Sequence, residues 1–521
     1  MKIRHPIVIH PFLFAIFPSI FLFSNNLGHV FFYQILLSTG FILFITYAAL
    51  LILQLIIKEN EKIGIIVSIS LMLFFSYGHV FTAIHSWQIN NYSVQNFHIH
   101  RYLILTWLII FTTSCYLSLK ASKGLSRLTG ALNFGALFLF FSPIVQIGVY
   151  EFQKSNNVPN NNTNEEVTVS TLDIQNPNTF PDIYYLVPDG HASSKTLKQY
   201  FNYENSDFTD FLIEKGFYLA TESQANYMHT GWSLLSSLRM DYLPISEEIK
   251  VDDSGNAVDS DNLNPQNYKV VNILKSLGYK YVHFSSGRSH TDHNMFADIN
   301  IKFGPLNEFL MILIPTTMLK IIDDKWNLLR IGLRDRTLFT FSKLSELENI
   351  NGPKFVFAHI GIPHPPFVFG INGEIVPTTD ISLVNWAPKE AYLDQLIFTQ
   401  KKLKDVINSI LEKSTIRPII LIQSDHGPFT TSAHPEDALS YPPNDTNIRE
   451  RMGIINAFYL PGEKCDDLLY DSISPVNNFR MIFNCYFNTD FEFLDDLSFY
   501  SWKGSDGLMN VTDIVKEVNQ D

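Results

Sequence analysis

Residues 417–427 read Arg-Pro-Ile-Ile-Leu-Ile-Gln-Ser-Asp-His-Gly, and residues 182–190 read Asp-Ile-Tyr-Tyr-Leu-Val-Pro-Asp-Gly. Each is a short apolar run that breaks into an acid and a turn residue. Unbroken apolarity, rather than alternation, implies strands buried on both faces of a sheet, as in parallel sheets. Further strands are expected at 280–284, 354–359 and 454–460, and helices at 206–215, 231–239, 267–277, 389–412 and 475–487. Strands and helices alternate, so this half of the chain is expected to form an α/β fold with a central, mostly parallel sheet.

Ligands of open α/β sheets sit beyond the carboxyl ends of the strands. Asp189 and the pair Asp425-His426 are therefore expected to meet there, although they are far apart in sequence. Carboxylate oxygens beside an imidazole suit zinc, manganese or magnesium. A lone Asp-Gly is more simply a turn; Asp-His-Gly after a buried strand, paired with a second strand end, points to a metal. Between them lies Asn226-Tyr227-Met228-His229-Thr230-Gly231-Trp232-Ser233. Thr230 falls at the amino end of an expected helix, where free N–H groups favour an anion and where threonine is also an ordinary cap. A hydroxyl there is placed either to attack a phosphorus or sulfur centre or simply to cap.

The other half of the chain is a different material. About five stretches, near 8–25, 31–57, 63–86, 101–119 and 128–149, carry the roughly 20 apolar residues that a membrane span requires. Lys2, Arg4, Lys58, Lys62, Lys120, Lys123 and Arg127 fall on alternate connections, which assigns those to the cytoplasm and the C-terminal half to the outside. The first run lacks a small-residue cleavage site and reads as a retained helix rather than a signal peptide. His79, His85, His98 and His100 gather near one membrane face and read as interfacial polar residues. The divisions expected are a transmembrane anchor over 1–150, an Asn-rich flexible linker over 151–180, and an extracytoplasmic domain over 181–521.

A formal net charge of −13 argues against a nucleic-acid surface. The three cysteines, Cys115, Cys465 and Cys485, support neither a disulfide scaffold nor a cysteine zinc site. A Cys465–Cys485 bridge stays open, though a domain of this size does not need one.

The order strand-Asp-Gly, then Asn-Tyr-x-x-Thr-x-x-Ser-Leu-x-Ser-Ser-Leu from Asn226, then Pro363-His364-Pro365-Pro366-Phe367, then Ser424-Asp425-His426-Gly427 resembles the sulfatase and alkaline phosphatase superfamily. The likeness is greatest to its membrane-bound members of the lipoteichoic acid synthase and phosphoethanolamine transferase type, and the run Arg449–Gly453 through Asn456–Gly462 adds to it without a chemical role. The resemblance implies that Asp189, Thr230, Asp425 and His426 surround one divalent ion, zinc, manganese or magnesium, with Thr230 as the nucleophile. It makes His364 a phosphate ligand, acid/base or second-metal ligand, and sets His359 beside it at the substrate. Pro188, where relatives carry an acid, leaves a second metal site open. No Cys/Ser-x-Pro-x-Arg motif occurs at Thr230, which disfavours formal sulfatase chemistry.

The implied function is transfer of a phospho-headgroup, of phosphoethanolamine or phosphoglycerol type, from a phospholipid donor to an envelope glycan or lipid, at the outer face of the cytoplasmic membrane. The alternatives are a phosphodiesterase or sulfuric-ester hydrolase of the same superfamily, and a catalytically silent envelope protein used for binding or assembly. His283, His290, His293 and His434 read as structural or surface residues. Arg288, whose fork suits an anion, reads more simply as an exposed arginine.

Overall fold

The computed structural model describes residues 6–27, 30–91, 99–121, 123–156, 180–243, 268–304, 306–376, 385–432, 442–462, 465–502 and 507–517. The chain divides into two compact units, Met1–Val158 with Leu306–Leu329, and Pro159–Pro305 with Arg330–Asp521. The expected linker falls largely on 157–179, and His98 and His434 on 92–98 and 433–441, all outside the described residues.

The first unit opens with α1 (His10–Ser24), α2 (Phe32–Gln54), α3 (Asn60–Asn91), α4 (Ile99–Lys120) and α5 (Leu125–Asn156). Four of these, α2 to α5, contain segments long and apolar enough to cross a membrane. The 15-residue α1 spans about 22 Å, short of a hydrocarbon core of about 30 Å. The expected five spans thus resolve into four long helices and one shorter apolar helix.

In the second unit, β1 (Ile183–Pro188), α6 (Ser194–Phe201), α7 (Ser206–Glu214), β2 (Phe217–Leu219), α8 (Thr230–Arg239), α9 (Lys269–Ser276), β3 (Lys280–Phe284), α10 (Ser289–Asp292) and β4 (Ile299–Ile301) follow in turn. The chain then contributes α11 (Glu308–Thr316) and α12 (Leu319–Trp326) to the first unit. It continues through α13 (Leu328–Leu344), β5 (Lys354–Ile360), α14 (Lys389–Lys413), β6 (Ile419–Gln423), α15 (Asp445–Met452), β7 (Asn456–Tyr459) and α16 (Pro475–Tyr486). A small ribbon of β8 (Phe499–Tyr500) and β9 (Met509–Asn510) and the short α17 (Thr512–Lys516) complete it.

The main sheet has seven strands in the order β2-β7-β6-β1-β5-β3-β4. Strands β6, β1, β5, β3 and β4 run parallel, and β7 pairs antiparallel with both β6 and β2. Every residue of β1, β5 and β6 is buried, as unbroken apolar runs require. Alternate side chains feed two cores. Ile183, Tyr185 and Val187 join Leu234 and Leu238 of α8, Val270 of α9 and Phe479 of α16. Tyr184 and Leu186 join Phe208 of α7, Phe341 of α13 and Leu403 and Ile407 of α14 on the opposite face. With β1 between β5 and β6, and Val187 in register with His359, the carboxyl ends of three neighbouring strands open side by side.

Cys465 and Cys485 form a disulfide with Cα atoms 5.5 Å apart. This corrects the expectation that the domain's size makes a bridge unnecessary. It closes a 20-residue separation between the segment after β7 and the end of α16, a loop length worth about 3 kcal/mol in chain entropy.

Candidate metal centre

Asp189 is the first residue beyond β1. Its N–H donates to the Ile360 carbonyl (2.9 Å), and its own carbonyl accepts from His364 N–H (2.9 Å), so the β1 end and the loop after β5 are bonded together. The Ser424 hydroxyl accepts from His191 N–H (2.8 Å) and donates to the Pro188 carbonyl (2.9 Å), which joins the ends of β6 and β1. The turn depends on Gly190, at φ +77°. A Cβ there would fall 2.8 Å from Trp386 Cη2, and that ring is packed 4.7 Å from the His364 ring between centroids.

Thr230 reaches the same place from the other chain direction. The Asn226 side chain donates to Ser474 Oγ (3.0 Å) and the Leu497 carbonyl (2.8 Å) and accepts from Val476 N–H (2.8 Å), fixing the approach to α8. His229, in extended conformation, occupies the cap position, and Thr230 is the first helical residue. The capping role is thereby excluded: the Thr230 hydroxyl lies 3.2 Å from His426 Nε2. Arg451 braces this arrangement. Its Nε donates to the Met228 carbonyl and its Nη1 to the Gly427 carbonyl, both at 3.0 Å, holding the segments that carry Thr230 and His426.

Asp189, Thr230, Asp425, His426, His359 and His364 thus come together. His426 Nε2 lies 3.6 Å from Asp189 Oδ1 and 3.3 Å from Asp425 Oδ2, and His359 Nε2 lies 3.4 Å from Asp189 Oδ2. Ligand-type atoms of Asp189, His364 and His426 lie within 4.8 Å of one another, as do those of Asp189, His359 and Asp425. Asp189 belongs to both groups.

Three buried atoms facing this point, Asp189 Oδ1, Asp425 Oδ2 and His359 Nε2, have no hydrogen-bond partner. A buried polar atom left unmade costs about 1–3 kcal/mol, and here three of them converge. The charges treat the two acids in opposite ways. Burial pushes the Asp189 carboxyl up, but His364, His359 and Arg288 outweigh it and hold Asp189 well below the usual carboxylate range. Burial and the neighbouring Asp189 charge push Asp425 up. Burial lowers His364 to about 3 and, with Arg451, holds His426 well below its ordinary value, so both imidazoles are neutral near pH 7 with a lone pair to offer. Two carboxylates and neutral imidazoles around unpartnered atoms fit a divalent cation.

One residue arrives that the sequence placed elsewhere, and another that it did not single out. Arg288 is not a surface arginine: its guanidinium, 20% exposed, lies 3.6 Å from Asp189 Oδ2 and 2.9 Å from His364 Nδ1. Its loop is braced from beneath by buried Asp292, which accepts from Gly287 N–H (3.2 Å) and Ser285 Oγ (2.5 Å). Thr291 in that loop sits 2.7 Å from His359 Nδ1, leaving Nε2 to face Asp189. His283 is structural, bonded to Tyr281 Oη and the Thr291 carbonyl, both at 3.0 Å.

No protein-family model matches the sequence. No curated protein matches it. Its structure is similar to that of the integral membrane protein lipooligosaccharide phosphoethanolamine transferase A from Neisseria meningitidis. The two share 12% identity over 92% of this chain and 95% of that one, with a TM-score of 0.43. It is also similar to the C-terminal periplasmic domain of EcEptC from Escherichia coli in complex with Zn, at 13% identity over 65% of this chain and 94% of that one, TM-score 0.42. A third similar structure is a protein in the alkaline phosphatase superfamily from Vibrio parahaemolyticus, at 10% identity over 62% and 73% of the two chains, TM-score 0.37.

Proposed function

We propose that this chain is a metal-dependent transferase that moves a phospho-headgroup from a lipid to an acceptor alcohol through a covalent intermediate on Thr230. The observation that carries this reading is the Thr230 hydroxyl, freed from capping and 3.2 Å from His426 Nε2, beside the unpartnered oxygens of Asp189 and Asp425. Asp189, Thr230, Asp425 and His426 would hold a divalent ion, with His359 and His364 as neighbours to a second. Such an ion supplies charge neutralisation to a phosphate ester and lowers the pKa of a nearby hydroxyl.

The chain's own residues do the rest. The Thr230 oxygen bonds to phosphorus while the bond from phosphorus to the donor's alcohol oxygen breaks, and the threonine proton ends on the departing alcohol. In the second half the acceptor's oxygen takes the phosphorus, and its proton returns to Thr230. The free N–H groups at the start of α8 favour the anionic headgroup, and the Arg288 fork binds its non-bridging oxygens. Thr291, bonded to His359 Nδ1, holds the direction of that ring.

The long apolar helices of the first unit support a donor and acceptor that reside in or beside a membrane, a phospholipid and an envelope glycan or lipid. The Lys and Arg distribution and the Cys465–Cys485 bridge, a bond favoured in oxidising compartments, support a catalytic unit outside the cytoplasmic membrane. Intact-mass measurement of the purified full chain after incubation with membrane phospholipid tests the reading. An adduct of headgroup mass in the wild type that is absent from Thr230→Ala is expected; no adduct in either sinks the covalent route. Turnover with water as sole acceptor, as fast as with alcohols present, would favour the hydrolase.

Arg288→Met should lower kcat/KM by about 10- to 100-fold, the range of a lost charge-assisted contact to phosphate, about 1.5–3 kcal/mol. Arg288→Lys should recover little of it, because a point charge lacks the fork. Full activity in Arg288→Lys would show that charge alone is used there.

A further inference from the structure

We infer that Glu308–Trp326, an excursion from the catalytic half of the sequence, is a re-entrant membrane element that dips between the spanning helices and shows its free side to phospholipid. The first observation is where it packs. Phe309 and Leu313 of α11 are buried in one apolar cluster with Leu22, Phe23, Val30, Ile35 and Phe75. Asn307 Nδ2 donates to the Gln34 carbonyl at 3.2 Å. These contacts lie at the end of α1 and the start of α2, the membrane face opposite Lys58, Lys62, Lys120 and Lys123.

The second observation is depth. Met318 N–H donates to the Phe74 carbonyl on α3 at 2.9 Å. Counting from Ile63, the first apolar residue after Lys62, Phe74 lies about 17 Å along the helix, roughly half-way across a hydrocarbon core of about 30 Å. The backbones close on each other at Gly78, where a Cβ would fall 2.0 Å from the Pro315 carbonyl oxygen.

The third observation is how the tip satisfies its polar groups. Non-helical backbone at membrane depth needs internal partners, since water is absent. Thr316 Oγ1 donates to the Leu313 carbonyl (2.8 Å) and Thr317 Oγ1 to the Ile314 carbonyl (2.9 Å), while Leu319 N–H donates to Thr317 Oγ1 (3.1 Å). On the way out the chain turns polar. Asp324 pairs with His100 Nε2 (2.9 Å) and Lys320 Nζ (3.1 Å), and His100 Nδ1 meets Tyr77 Oη (2.9 Å), so His100 is a pin for this element rather than a lone interfacial residue. Leu319 and Trp326 remain 39% and 56% exposed, an apolar side with a tryptophan where an aromatic belt residue belongs.

The test uses the full chain in phosphatidylcholine vesicles, with Cys115→Ser and a bimane label on Leu319→Cys or Trp326→Cys, and lipids with or without brominated acyl chains. Both are exposed positions, so folding is preserved. The Leu319 label should lose most of its emission to brominated chains and the Trp326 label part of it, while a label on Ile213→Cys in α7 should lose none. Emission at 319 and 326 as insensitive to bromine as at 213 would overturn the inference. The outcome is independent of the metal and of Thr230 chemistry.

Discussion

Thr230→Ala is expected to lower kcat by roughly 10⁴- to 10⁶-fold, the scale seen when a catalytic nucleophile is removed, and to abolish the headgroup adduct. The loss should come with little change in stability, within about 0.5 kcal/mol. Thr230 is not the cap of α8; His229 holds that position, and the Thr230 side chain turns to His426 and Asp425 instead. A capping threonine would give the reverse pattern, costing about 1 kcal/mol of stability and leaving turnover nearly intact. Thr230→Ser keeps a hydroxyl and should retain measurable turnover and the adduct. Kinetics and thermal unfolding on the same three proteins separate the cases; an alanine variant that still transfers within tenfold of wild type, by the usual 1.4 kcal/mol scale, would remove Thr230 from the chemistry.

The sequence exposed those parts of the fold that are written in continuous or periodic runs. The parallel centre of the sheet was legible because β1, β5 and β6 are unbroken apolar segments, buried on both faces. The edge strands β2 and β4 are three residues each, too short for any period to show. The acids and Thr230 could be read because each sits at the end of an element, where backbone geometry aims the side chain. His359 differs, since its place beside Asp189 follows from the register of Val187 with His359, and register is not a local property. Arg288 was read as a surface residue because nothing in its neighbourhood announces burial. It is delivered by a loop after β3, two strands from β1, whose brace is a carboxylate four residues further on. The excursion through α11 was missed for a related reason. Its nine residues fall well short of the roughly 20 that mark a span, although the stretch Phe309–Pro315 is as apolar as one.

Asp425→Asn should produce opposite effects on stability and function. In the metal-free protein Asp425 is buried beside an ionised Asp189, and its carboxyl is pushed up by burial and by that charge. A raised folded pKa means that stability is fully present below the unfolded aspartate value, about 3.9, and is lost as pH rises through the folded value. The asparagine variant carries no such penalty. It should match the wild type below about pH 4 and gain on it through the window above, reaching a Tm a few degrees higher at neutral pH, about 1 kcal/mol. Added zinc or manganese should invert the order. Wild type gains about 2.7 kcal/mol at one hundred times its dissociation constant, while the variant, with one anionic ligand removed, gains little and turns over at least about 10³-fold more slowly. Thermal unfolding across pH, with chelator and with metal, measures all of this. The unpartnered Asp189, Asp425 and His359 atoms fit a cation among them, so a variant that is less stable than wild type without metal and equally stabilised with it would show that those atoms are balanced in some other way.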